Sequence, residues 1–196
     1  MMERSSRFTA INGWGVAAVG VMAIAAAWVA ASLFGQEGAG WLSTLYGNTS
    51  MLMAYKTRVA VVGSLLLVAV CGSTVFLSSM AQARRRGLTF AFDATMRRLV
   101  LNFSVPLLAG GILCLALVLQ GHYGLTSSIM LIFYGLALIN CHHFSQPVLG
   151  VLGYAELALG LADCFVATHA LLFWGVGFGL LHILLGLYLI VKDRRS

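Results

Sequence analysis

VAVVGSLLLVAVCGSTVFLSSM, residues 59–80, runs for 22 positions without a charged side chain. A helix rises about 1.5 Å per residue, so such a run spans roughly 33 Å, enough to cross the hydrocarbon core of a bilayer. In water it would need a deep protein core on every side. In lipid it needs only its own backbone hydrogen bonds, which a helix supplies.

Five further stretches read the same way: 14–35, 99–120, 126–142, 147–166 and 170–191. Only the short segment Cys141 to Gln146, which overlaps the end of the fourth stretch, leads from it to the fifth. A re-entrant pair would fit there, but each stretch is long enough to cross, and six crossings is the reading adopted. Composition agrees with it. Of 196 residues 60% are hydrophobic and 9% charged, with a mean hydropathy of +0.93, whereas a soluble domain is about a quarter charged. The expected fold is an all-α membrane protein: one transmembrane domain, residues 1–196, forming a bundle of about six helices.

The basic residues orient the bundle. Arg4 and Arg7 precede the first stretch, Arg84, Arg85, Arg86, Arg97 and Arg98 lie between the second and third, and Lys192, Arg194 and Arg195 close the chain. With six crossings and a cytoplasmic N-terminus, ten of the twelve Lys and Arg residues fall on the cytoplasmic side, leaving Lys56 and Arg58 outside. That is the bias that retains basic segments inside, and it puts both termini in the cytoplasm. The net charge of +6 therefore follows from topology and calls for no nucleic acid. Arg84, Arg85 and Arg86 suit anionic lipid headgroups. A secretory signal would have an apolar core of only about 7–15 residues, so the first stretch is expected to be retained.

Two connections have character. The outer segment 36–57 carries Trp41, Tyr46 and Tyr55 and is expected to lie at the interface or lid the bundle. The inner segment 84–98, with Leu88, Phe90, Phe92 and Met96, is expected to anchor on the membrane surface.

The C-terminal hairpin holds the chemistry. Gly153, Glu156, Gly160 and Asp163 recur at spacings of three, four and three, and Gly175, Gly179, His182 and Gly186 at four, three and four. Each set occupies one helix face, and small residues at such spacing let membrane helices approach closely. The two faces are expected to pack on each other. A turn at Ala167 and Thr168 sets His182 level with Gly153, so that Glu156 falls within a turn of His182 near the midplane. An ionised carboxylate there costs about 2.5–3.5 kcal/mol on insertion scales. Glu156 is therefore expected to be neutral, paired with His182, or open to a water-filled cavity. Asp163, closer to the outer end, is expected to be solvated.

A second polar group, Asn140, Cys141, His142 and His143, closes the fourth stretch. Adjacent helical residues point about 100° apart, so the two histidines do not share a metal easily. The four cysteines sit singly in four stretches, without a metal or disulfide spacing. Pro106, followed by Gly110 and Gly111, suggests a kink. No GxSxG, HExxH or nucleotide-binding loop occurs, so the usual hydrolase, zinc-protease and ATPase readings lack their parts. No motif implies a cofactor.

YGLALIN (Tyr134–Asn140), GYAELALGL (Gly153–Leu161) and FWGVGFGLLHILLG (Phe173–Gly186) together resemble uncharacterised small multi-pass inner-membrane proteins of bacteria. Cys141–Phe144 departs from that pattern. The resemblance implies a multi-pass location in the cell inner membrane and carries no activity.

Two functions fit these residues. One is proton- or cation-coupled transport through Glu156 and His182, with Asp163 and Asn140 as further polar candidates. The other is a non-catalytic subunit or assembly factor that docks a membrane-protein partner, or a second copy, through small-residue faces.

Overall fold

A computed structural model of the chain describes residues 11–34, 49–85, 94–166 and 169–195. Among these residues there is no strand. The helices are α1 (Gly13–Phe34), α2 (Thr49–Arg85), α3 (Ala94–Leu119), α4 (Thr126–Cys141) and α5 (Pro147–Phe165). The sixth, α6 (Ala170–Arg195), is α-helical over Ala170–Trp174 and again over His182–Arg195, with a π-helical stretch, Gly175–Leu181, between them. All six are long and apolar enough to cross a membrane. The protein is an integral membrane helical bundle.

Lipid removes the hydrophobic drive for helix association, so the helices meet where their backbones can approach closely. The fifth helix rests on the fourth. A side chain at Gly135 would lie 2.7 Å from the Gly153 carbonyl, and one at Gly153 would lie 2.8 Å from the Gly135 carbonyl. Gly160 continues this contact against Ile132 and Leu131. The sixth helix rests on the first in the same way. Gly179 faces Ile24 and Gly20, Gly186 faces Ala17 and Gly13, and Gly175 lies against Ala27.

The expected contact between the two glycine faces is therefore not what forms. Each face is taken by a different helix, α4 for one and α1 for the other. Periodicity identifies a face that wants a close neighbour, but it does not name the neighbour.

An apolar cluster of Val16, Leu138, Leu152, Leu185 and Leu189 joins α1, α4, α5 and α6. It occupies the half of the bundle nearer the basic ends Arg84, Arg85 and Lys192. The second helix is the loosest member. Asn12 of the segment before α1 donates to the Ser78 carbonyl at 3.4 Å, while Leu65, Leu66, Phe76 and Leu77 remain exposed on the apolar surface that lipid would cover.

Two boundaries differ from expectation. The second helix covers 37 residues and not just 59–80, because hydropathy marks only the part that needs lipid. Residues 49–57 of the expected outer loop are its first turns. The expectations for 36–48, for Arg86, Leu88, Phe90 and Phe92, and for the turn at Ala167 and Thr168 lie outside the described residues.

Candidate functional site

The site assembles where α4, α5 and α6 converge. Glu156 lies nine residues from either end of α5, about 14 Å by helical rise. It is 0% exposed, so no water-sized space touches it. The carboxylate is not open to a cavity in this conformation, which removes one of its three expected states. Neither of its oxygens has a hydrogen-bond partner.

His182 approaches from α6, with Nδ1 3.6 Å from Glu156 Oε1. That separation exceeds a hydrogen bond but lies within ion-pair range. Both ring nitrogens are otherwise engaged. Nδ1 is 3.1 Å from the Gly177 carbonyl, which only accepts, so Nδ1 carries a proton. Nε2 is 2.8 Å from the Tyr134 hydroxyl. In the neutral ring Nε2 is then the acceptor and Tyr134 donates to it. The imidazole also stacks with Tyr134 at a 5.5 Å centroid distance. Both nitrogens of His182 are thus held within the cluster. Among the described residues no three His, Cys, Asp or Glu side chains gather as a metal site.

The π-helical stretch makes room for this arrangement. Its wider turn puts Gly177 and His182, five residues apart, in line. A side chain at Gly177 would lie 2.5 Å from Glu156 Oε2 and would also meet Leu131. A larger residue here would have to push the ends of the Glu156 and Leu131 side chains aside.

Asp163 overturns its expectation. It is 1% exposed and not solvated. Its Oδ2 accepts a 2.9 Å hydrogen bond from Ser128 of α4, and its Oδ1 is buried without a partner. Ser127 donates to the Ala170 carbonyl at 2.8 Å, tying α4 to the start of α6. The polar contact with α4 continues to this end of α5, which the distance from the midplane alone does not reveal.

Asn140 stands apart. It is exposed, six residues beyond Tyr134 near the other end of α4, and does not join the cluster. His142 turns its Nδ1–H to the Ile139 carbonyl and packs its ring against Gly150.

Tyr134, Ser128 and Gly177 were not singled out as site residues by sequence reasoning. A signal existed for two of them. Tyrosine favours membrane interfaces, so one at mid-span needs a buried partner. Gly177 falls between the in-phase Gly175 and Gly179, where a regular α-helix gives it no role. Ser128 had no signal, since serines near a helix start are commonplace. No protein-family model, curated protein or solved structure matches the chain.

Proposed function

We propose that this protein moves protons across its membrane, alone or coupled to a solute, with Glu156 as the carrier and His182 and Tyr134 as its exchange partners. One observation supports the reading above all others. A mid-bundle carboxyl is fully buried with both oxygens unpartnered, 3.6 Å from an imidazole whose far nitrogen meets a tyrosine hydroxyl.

A carboxyl that served only to join helices would be expected to accept hydrogen bonds, because a buried polar atom without a partner costs about 1–3 kcal/mol. Glu156 forgoes them, and buried ionisable groups in membrane helices mark ion and proton paths by default. The pair can stand as carboxylic acid beside neutral imidazole or as carboxylate beside imidazolium. Since Nδ1 already carries a proton, the imidazole proton that separates the two states is the one gained or lost at Nε2. The hydroxyl of Tyr134 reverses its hydrogen bond as Nε2 gains or loses a proton. The resemblance noted from sequence adds the bacterial inner membrane as the proposed location.

A docking surface would have to use other residues than the glycines of the last hairpin. Gly153, Gly160, Gly179 and Gly186 already hold α4 and α1. A partner binding there would have to displace a helix.

The test is proton flux into proteoliposomes reported by an internal pH dye. Glu156→Gln keeps the shape and removes the exchangeable proton, so flux should fall to that of empty vesicles while the protein still inserts and elutes as the wild type does. Equal flux from wild type and Glu156→Gln would remove the proposal.

A further inference from the structure

The two ends of the bundle are sealed differently around Glu156 and His182. Toward the basic end the seal is apolar and several side chains deep: Leu138 on α4, Leu152 on α5, Leu185 and Leu189 on α6, and Val16 on α1. Toward the opposite end polar groups resume within two turns. Asp163 follows Glu156 by seven residues on one face of α5, about 10 Å along the axis, and is itself buried with one oxygen unpartnered. Ser128 holds its other oxygen.

Between the two carboxyls stands Leu131, 0% exposed. It lies on α4 three residues from both Ser128 and Tyr134. It packs where Gly160 and Gly177 lack side chains, and Gly160 itself lies between Glu156 and Asp163 on their shared face. Leu131, with Leu159 beside it at Gly177, is thus the apolar packing next to the buried acids on this side.

We propose that Asp163, with Ser128, is a second proton station serving Glu156 from the outer end, and that Leu131 is the gate between them. The inference rests on the proton-carrying reading of Glu156 and adds the side from which that residue is loaded. A proton enters at Asp163 Oδ1, the atom left without a partner. Displacement of Leu131 then lets it pass to Glu156, most simply along a transient water chain. No bond other than O–H is made or broken, and each carboxyl returns to its starting state when the proton leaves.

The experiment compares Asp163→Asn, Leu131→Ala and Leu138→Ala with wild type and Glu156→Gln in the same dye-loaded vesicles. Leu138→Ala removes an equivalent buried leucine from the thick seal. Asp163→Asn should lose most of the flux, and Leu131→Ala should raise passive proton leak well above that of Leu138→Ala. The Leu131→Ala leak should vanish when Asp163→Asn is added. Equal leak from the two leucine variants would mean general loosening and would overturn the gate. Full flux in Asp163→Asn would overturn the station. Either result, with Glu156→Gln still inactive, leaves the carrier role standing, whereas flux indifferent to Glu156→Gln removes both. If Asp163→Asn fails to fold, Ser128→Ala reads the same station, and undiminished flux there overturns it.

Discussion

Two kinds of helix contact hold this bundle, and they are built from opposite materials. The α4–α5 and α1–α6 contacts are backbone against backbone, with reciprocal glycines such as Gly135 and Gly153 less than a side chain apart. The contact of α6 with α4 and α5 adds polar side chains to its leucine cluster: Tyr134 with His182, Ser127 with the Ala170 carbonyl, Ser128 with Asp163 just behind it. Backbones so close have one arrangement, because neither can yield without losing its helix. Side-chain hydrogen bonds can be exchanged one at a time. The division sets two closely packed pairs, α4–α5 and α1–α6, side by side across a polar seam.

That contrast predicts a ranking of mutational effects. The largest belongs to Gly135→Leu, whose added atoms would meet the backbone at Gly153 and Leu157. Overpacking costs about 1–3 kcal/mol and more where backbone must move. Thermal unfolding in detergent should show a large fall in Tm or no folded protein. A wild-type Tm would mean that the α4–α5 approach is not as close as described.

Tyr134→Phe should come next, and should separate stability from activity. It deletes one interhelical hydrogen bond, about 0.6–2 kcal/mol, and the hydroxyl that meets His182. A modest fall in Tm with a strong fall in proton flux is expected. A fall in Tm without any change in flux would make the seam structural only.

The smallest effect is expected at Gly63→Ala on α2. Nothing lies within 4 Å of the added methyl group, and alanine is favoured over glycine in a helix by about 1 kcal/mol. Tm should hold or rise slightly. A clear fall would reveal a neighbour at that position, such as a second copy of the chain.

The sequence was most legible where one physical demand dominates. Crossing lipid requires long apolar runs, and all six were visible as such. The nearness of Glu156 to His182 was also legible, because the few residues between the fifth and sixth apolar runs leave little freedom in their relative depth. The destination of each glycine face was not. Gly153 and Gly179 mark close approach, but α6 begins 136 residues after α1 ends (170 − 34), and no local pattern connects them. Burial of Asp163 was missed for a related reason. Its position near a helix end suggested water, while the residue is buried and bonded to Ser128 of α4, a tertiary fact. The π-helical widening at Gly175–Leu181 left only a trace, an out-of-phase Gly177.

The most direct test is infrared difference spectroscopy of the protein in lipid bilayers across a pH titration, comparing wild type with Glu156→Gln. A carboxyl that binds and releases a proton inside the bundle shows a protonated-acid C=O band that appears and disappears with pH. The wild type should show that band, and Glu156→Gln should lack it while retaining any band from Asp163. A wild-type spectrum with no Glu156 band responding to pH at any point would contradict the role assigned to this residue and the function built on it.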